Sequence, residues 1–282
     1  MKTLLMTFAA LLLYVYAGAQ ENSLLWKVSG NGLTKDSYVF GTLHMACSAD
    51  FRIPEKVKSA LGSTDAIAVE VDITDPKNMA LLQSKMGPKP TFFDGLGADK
   101  KKAIDSALLA NEIPPAIFDQ VSPTVALSLL TIKGFDCPSM QDIKMMEHEL
   151  KMLPQAEGKP VAELESATFQ ADLLDSLFSA EDLYNYLTSN IDSKAYSKEL
   201  VNAYFSENLQ KIEEMTMNTA FLSGPKQEKL LDARNRVWLQ KMPSMMTEKS
   251  YVFAVGAAHL VGKNGVIQLL RDKGYTVTAV KN

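Results

Sequence analysis

Cysteine is scarce in this chain of 282 residues, which contains only Cys47 and Cys137. Two cysteines are too few for a disulfide-stapled scaffold, so a packed core must provide the stability. In an oxidising compartment the pair can form one bridge, and two buried thiols are an equal alternative. Cys47 follows a histidine by three residues, but the absence of a Cys-x-x-Cys motif argues against a cysteine metal site.

Long apolar runs are also absent, with one exception at the start of the chain. Residues 4–16 are apolar, follow the basic Lys2 and precede a small-x-small cleavage pattern at 17–19 (Ala-Gly-Ala). This pattern predicts a signal peptide over residues 1–19 and an exported protein, periplasmic or secreted. An uncleaved anchor is the alternative. We expect residues 20–282 to form a single domain without a transmembrane helix.

An excess of positive charge is missing, since 29 Lys and Arg stand against 33 Asp and Glu and the net charge is −4. Nucleic-acid-binding proteins need basic surfaces to neutralise phosphates, so we expect no nucleic-acid partner. The sequence also lacks a Gly-x-Ser-x-Gly elbow, a phosphate loop, a dinucleotide fingerprint and a His-Glu-x-x-His helix. These absences argue against the enzyme classes that depend on those motifs.

Histidine is rare, with three in the chain, yet two of them share a sequence context. The stretches "SYVFGTLHMAC" and "SYVFAVGAAHLVG" place Gly41-x-x-His44 and Gly256-x-x-His259 after similar strands. Such a turn puts the imidazole at the carboxyl end of a strand, where ligand sites of α/β sheets concentrate. A histidine bonded within its own loop is the structural alternative. Two converging histidines suit a divalent metal ion or an acid–base pair.

The same order of predicted elements surrounds both motifs: strand, Gly-x-x-His turn, helix, strand. Crossovers of this kind favour parallel strands of one sheet. Between the blocks, residues 98–245 show apolar residues at helical spacing. We predict an α/β fold with a central mixed sheet built from the N- and C-terminal β-α-β blocks, and a large helical insertion between them.

Glu70 lies in "AIAVEVD" (66–72), a predicted strand that is otherwise apolar up to its last residue. A buried carboxylate must be hydrogen-bonded, paired or bound to a cation, because leaving it unpaired costs several kcal/mol. The alternative is an edge strand on which Glu70 faces water. A strand that is apolar on both sides of the glutamate favours a sheet covered on both faces.

Three further polar residues lie next to apolar positions. Glu165 occurs in "VAELES", where a short strand is predicted, and a solvent-facing helix cap is its alternative. Arg234 and Asn235 flank the apolar stripe of a helix predicted over 230–242. An arginine there can orient a carboxylate or stabilise an anion, and a structural ion pair is the alternative. His148 lies on a charged helix and is interpreted as a surface residue.

Taken together, these motifs resemble the TraB/GumN family along nearly the whole chain after residue 20. The matching stretches, in family order, are "LLWKV", "YVFGTLH", "AIAVEVD", "VAELES", "ARN" and "YVFAVGAAHLVGKNGVIQLLRDKGY". The paired Gly-x-x-His turns are the specific part of the resemblance. The family includes the Tiki metalloproteases and is similar to the erythromycin-esterase and ChaN-like proteins.

The resemblance implies a central metal site, a surrounding catalytic set and two turn glycines. The metal ligands are His44, Glu70 and His259, and the identity of the divalent ion is unspecified. The catalytic residues are Glu70, Glu165, Arg234 and Asn235. The turn glycines are Gly41 and Gly256. On the hypothesis of a metal-dependent hydrolase, whichever of the two glutamates is not a ligand acts as general base, and Arg234 stabilises either the developing oxyanion or the carboxylate of the substrate.

The function implied by the resemblance is an exported metal-dependent hydrolase, a peptidase, with a peptide or protein substrate. An exported binding protein that captures a peptide or signalling molecule without turnover is the alternative. Metal-free hydrolysis with histidine as base is a third hypothesis.

Overall fold

The computed structural model describes residues 22–189, 191–217, 222 and 224–281. The predicted signal peptide lies outside the described residues. Within the described ranges, no helix is both long and apolar enough to cross a membrane.

The strands and helices of the N- and C-terminal blocks follow the predicted order, but two short strands, Met45–Cys47 and Ile143–Met145, were not predicted, and the second lies in a stretch predicted to be helical. The strands are β1 Leu25–Ser29, β2 Ser37–Thr42, β3 Met45–Cys47, β4 Ala66–Val69, β5 Ile143–Met145, β6 Val161–Glu163, β7 Tyr251–Gly256 and β8 Thr276–Ala279. The helices are α1 Glu55–Ser63, α2 Pro76–Lys85, α3 Ala98–Ala110, α4 Pro123–Gly134, α5 Met146–Lys151, α6 Ala167–Leu177, α7 Ala180–Thr188, α8 Ser193–Phe205, α9 Leu209–Met217, α10 Pro225–Gln227, α11 Ala233–Glu248 and α12 Val266–Asp272.

Six strands form one mixed sheet in the order β6-β4-β7-β2-β1-β8. The first four are mutually parallel, whereas β1 runs antiparallel to β2 and β8. Strand β2 from the N-terminal block pairs directly with β7 from the C-terminal block, and Thr42 lies opposite Gly256. The predicted mixed α/β sheet built from both blocks is confirmed.

Strand β4 ends earlier than its sequence predicts. The pattern predicted a strand over 66–72, but β4 stops at Val69, so Glu70 is the first residue beyond it. The N–H of Gly256 donates to the Glu70 carboxylate rather than to a backbone carbonyl, which ends the ladder with β7. On the other side the backbone pairing continues, since the N–H of Glu165 donates to the carbonyl of Glu70 at 3.0 Å.

Three hydrophobic clusters occur among the described residues, and two of them are large. The larger core packs around the sheet, and every residue of β4 and β7 is buried in it. A smaller core lies within the helical insertion and includes Ile104, Leu108, Phe118, Leu130 and Leu183. The sheet core therefore supports the strand ends where polar side chains cluster.

A disulfide joins Cys47 to Cys137, which answers the question that the sequence left open. Cys47 ends β3, and β3 pairs antiparallel with β5 to form a second, two-stranded sheet. The bridge and this small sheet attach the segment after β2 to the segment that precedes α5. They also remove the Cys47 thiolate as a metal ligand.

Candidate functional site

The candidate site lies at the carboxyl edge of the parallel strands. His44 follows β2, Glu70 follows β4 and His259 follows β7. Because β2, β7 and β4 are parallel neighbours, the residues after their ends meet at one edge of the sheet. Topology alone therefore brings together residues that are distant in the sequence.

Glu70 is buried, and both of its carboxylate oxygens have partners. Oε1 accepts the N–H of Gly256 at 2.8 Å, and Oε2 accepts a guanidinium N–H of Arg234 at 2.5 Å. Burial alone would raise the pKa of Glu70, but electrostatic interactions with His259, Arg234 and His44, and the hydrogen bond from the N–H of Gly256, lower it to about 2. The alternative of a solvent-facing edge glutamate is wrong, because β4 lies inside the sheet.

Arg234 occupies the centre of the cluster and is almost fully buried. Its Nε and Nη2 donate to the two oxygens of Glu165 at 3.0 and 2.5 Å, and Nη2 also donates to Glu70. Its Nη1 donates to the carbonyl of Leu230 at 2.8 Å and lies 3.1 Å from Nε2 of His259. A guanidinium has five N–H groups, so these five contacts occupy all of them.

Glu165 is buried beside this arginine rather than facing solvent. Besides the arginine, its Oε2 accepts the indole N–H of Trp238 at 3.3 Å, and its Oε1 accepts the side-chain amide of Gln170 at 3.2 Å. The neighbouring Ser166, not the glutamate, caps α6. The helix-cap alternative for Glu165 is therefore wrong.

A π-helical turn over Glu228–Asp232 precedes α11 and sets the position of Arg234 and Asn235. The predicted regular helix over 230–242 is thus interrupted at its start. Such turns often occur at functional sites. Asp232 at the end of this turn accepts the amide of Asn264 at 2.8 Å, which fixes the turn against the loop before α12.

His259 is buried and held as a neutral imidazole. Its Nδ1 lies 2.6 Å from Oδ1 of Asn235, so this nitrogen carries the proton, and Nε2 accepts from Arg234. Burial lowers the pKa of His259 to about 3, and the charges of Arg234 and His44 act in the same direction. The ring also packs on Trp238 with the ring centroids 4.4 Å apart. Asn235 therefore selects the tautomer of this histidine.

His44 differs from the other site residues because its side chain is 61% exposed. Its Nδ1 lies 3.1 Å from Oε1 of Glu147, which also accepts the hydroxyl of Thr42 at 2.6 Å. Loss of hydration lowers the pKa of His44, but the hydrogen bond and charge of Glu147 outweigh it, so the pKa rises above its ordinary value. Glu147 orients the ring and leaves Nε2 available.

The two motif glycines have different roles. A Cβ at Gly41 would lie 2.9 Å from Leu260 and 3.1 Å from the Cα of Ala257, so the turns after β2 and β7 require a glycine there to pack together. A Cβ at Gly256 would meet only ordinary contacts, 3.4 Å from both Oε1 of Glu70 and Nε2 of His44. The backbone of Gly256 therefore lines a space that both side chains face.

Glu147 was not identified from the sequence. Its segment "EHELK" gives the pattern of a charged surface helix, and the adjacent His148 is indeed half-exposed. The signal that could have revealed Glu147 is a paired Cys47 and Cys137, because that bridge brings α5 next to the Gly-x-x-His turn.

The described residues do not fit a metal ion in this arrangement. Among them, no three His, Cys, Asp or Glu side chains are grouped so that they could hold a metal. The physical reason is Arg234, whose guanidinium binds the Nε2 lone pair of His259 and one oxygen of Glu70. The assignment of His44, Glu70 and His259 as metal ligands stays a prediction.

A polar cluster at the carboxyl edge of a mixed sheet, beside an exposed and oriented histidine, defines an α/β protein with a candidate active site. The chain belongs to the TraB/PrgY/gumN family, whose model matches residues 24–279. No solved structure is significantly similar to it.

Two curated relatives are similar to this chain over most of its length. It is 22% identical to "Metalloprotease TIKI homolog" of Amphimedon queenslandica over 92% of this chain and 62% of the relative. It is 22% identical to "Metalloprotease TIKI2" of Danio rerio over 91% of this chain and 60% of the relative. The chain thus spans about three fifths of the length of these relatives.

Proposed function

We propose that the protein is a hydrolase that cleaves peptide bonds at the space lined by Gly256. The observation that carries the proposal is that Oε1 of Glu70 and Nε2 of His44 both lie 3.4 Å from the position of a Cβ at that glycine. The names of the relatives support the reaction class, since they are called metalloproteases.

In this proposal Glu70 is the general base and His44 the general acid. Their environments push the two pKa values apart, which is a recurring basis for such assignments. The ionised carboxylate of Glu70 takes a proton from a water molecule, and the oxygen of that water attacks the carbonyl carbon of the substrate. The protonated Nε2 of His44 then gives its proton to the leaving amine as the C–N bond breaks.

Arg234, Glu165 and Asn235 act as positioning residues in the proposal. All five N–H groups of the arginine are used within the protein, so an oxyanion role would require one of these bonds to break. The arginine holds the two glutamates in place instead. Asn235 holds His259 in one tautomer, and this neutral ring lies 3.7 Å from Oε1 of Glu70.

The metal-dependent form of the proposal assigns a divalent ion to His44, Glu70 and His259. The names of the relatives suggest it. Because Arg234 engages two of these three side chains, this form requires the arginine contacts to rearrange. We therefore derive no catalytic step through a metal and include metal content in the test.

We also propose that the protein is exported, either to a periplasm or out of the cell. The Cys47–Cys137 bridge supports this, because disulfides persist in oxidising compartments. N-terminal sequencing of protein recovered from the exported fraction should begin at residue 20. A sequence that starts at Met1 would contradict the signal peptide.

The hydrolase proposal is tested with protein purified without a histidine tag, using casein and a mixed fluorogenic peptide library as substrates. His44→Gln and Glu70→Gln should each lower the rate at least about a hundredfold while leaving the circular dichroism spectrum unchanged. His148→Gln is the matched control, since that histidine is half-exposed on the neighbouring helix, and it should keep full activity.

Metal content is measured by mass spectrometry on the same samples, before and after treatment with a chelator. Activity that disappears with the metal and returns with it would support the metal-dependent form. Full activity in folded Glu70→Gln protein would overturn the proposed base. Tight capture of library peptides without cleavage would favour the binding-protein alternative.

A further inference from the structure

A cavity of about 380 Å³ lies against the helical side of the candidate site. Its walls are mostly apolar and aromatic, and they come from α4, α8, the segment before α7 and the π-helical turn. The wall residues used below are Leu127, Phe135, Phe178, Leu200, Leu230 and Ala258. The volume falls in the range of sites that bind small molecules or side chains.

The cavity and the charged cluster share two pieces of backbone. Leu230 lines the cavity, and its carbonyl accepts the Nη1 N–H of Arg234. Ala258 also lines the cavity, and the next residue, His259, faces the cluster. The cavity therefore adjoins the charged cluster through the backbone of these two residues.

The lining excludes a charged ligand. Asp182 is the single charged residue among the described lining residues. It is already paired with Lys226 and with the hydroxyl of Ser179. The hydroxyl of Tyr196 donates to the carbonyl of Met215 at 2.8 Å. An unpaired charge placed among these walls would lose its hydration without gaining a partner.

We propose that this cavity is the specificity pocket of the site and that it accepts one large neutral side chain, aromatic or branched aliphatic, of a peptide substrate. This inference rests on the proposed hydrolase function. A side chain is favoured over a free molecule because the cavity adjoins the cluster, since Leu230 in its wall accepts a hydrogen bond from Arg234. The pocket would select where along a peptide the chemistry occurs.

The first experiment measures binding without turnover. The probe is N-acetyl-L-phenylalaninamide, followed by ligand-observed NMR, with toluene and N-acetyl-L-lysinamide as comparison ligands. The amide of phenylalanine should bind and the amide of lysine should not. Binding of toluene without binding of the phenylalanine amide would overturn the peptide pocket in favour of a site for free apolar molecules.

Two variants assign this binding to the cavity. Leu127→Trp fills the cavity from α4 and should abolish binding of the phenylalanine amide. Ser128→Trp is the matched control, because Ser128 is the next residue of α4, is exposed and is not part of the described lining. If Leu127→Trp fails to fold, Leu200→Trp fills the cavity from α8 instead.

The second experiment measures kcat/KM on fluorogenic peptides that differ at one position. Peptides with phenylalanine or leucine should be cleaved at least about tenfold faster than those with lysine or glutamate, and the filled variants should lose this preference. Folded filled variants that keep both binding and preference would overturn the pocket. Binding to the cavity with no hydrolysis of any peptide would leave the pocket standing and refute the hydrolase proposal.

Discussion

Arg234 provides the sharpest test of the cluster, because one side chain there neutralises two buried carboxylates. Replacing it with methionine keeps most of the side-chain volume and removes all five N–H donors. Glu70 and Glu165 would then remain buried and lose their shared cation. We expect Arg234→Met to be strongly destabilising.

The magnitude follows from removing one partner of a buried charge network, which costs about 3–5 kcal/mol. Total stabilities of about 5–15 kcal/mol are usual for folded proteins, so the variant should lose a large fraction of its stability. This loss of stability should come from the buried carboxylates of Glu70 and Glu165, which no longer have a cationic partner. The triple variant Arg234→Met, Glu70→Gln, Glu165→Gln should therefore recover about 2 kcal/mol or more, because similar networks are often replaceable by neutral groups.

The assay is urea unfolding at neutral pH, followed by near-ultraviolet circular dichroism, with the slope of the transition compared between variants. Arg236→Met is the matched control. Arg236 lies on the same helix two residues later, is 48% exposed and pairs with Glu228, so its loss should cost at most about 1 kcal/mol. Equal effects of the two substitutions, or no recovery in the triple variant, would refute the interpretation of Arg234 as the centre of a buried network.

Three further predictions concern other parts of the molecule. Replacing Cys47 and Cys137 with serine should lower the free energy of unfolding by about 4–5 kcal/mol, because the bridge closes a loop with a sequence separation of 90; a loss below about 1 kcal/mol in urea unfolding would contradict this. Hydrogen bonds from Lys35 and Ser250 lower the pKa of Asp65, so the ionised carboxylate contributes to the free energy of unfolding above the unfolded pKa of about 3.9, and this contribution is lost as the pH falls further. The difference in stability between Asp65→Asn and the unchanged protein should therefore shrink in acid. A difference that stays constant with pH would refute the assignment. Gly256→Ala should fold normally and lose activity, because the added methyl group enters the space between Glu70 and His44. Gly41→Ala should instead lower the melting temperature, because its Cβ would meet backbone. A lower melting temperature for Gly256→Ala than for Gly41→Ala would contradict both roles.

Much of the fold could be predicted from local patterns. The repeated strand, Gly-x-x-His turn and helix predicted that both blocks contribute parallel strands to one sheet, because right-handed crossovers allow few alternatives; the direct pairing of β2 with β7 was not specified by the pattern. Glu70 could be singled out because a charge among apolar strand residues requires a partner inside the sheet. The identity of that partner could not be predicted, since Arg234 follows it by 164 residues.

Two features of the site depend on contacts that no local pattern encodes. Glu147 lies on a helix whose own sequence indicates a solvated surface, and the pairing of β3 with β5, together with the Cys47–Cys137 bridge, brings it to His44. The stripe predicted for α11 placed Arg234 near the apolar side. It could not show that all five N–H groups are used, because the acceptors come from four separate segments of the chain.

The direct pairing of β2 with β7 has a consequence for how the protein is made. Tyr38 of β2 lies opposite Val252 of β7. The ribosome must therefore add more than two hundred residues after β2 before β7 exists. At about 5–20 residues per second this takes at least about 10 s. Throughout that time the edge of β2 is unpaired, and the turn that carries His259 has not been synthesised. Until then the charged cluster cannot form, and the unfinished chain carries an unpaired strand edge, which is a liability for aggregation.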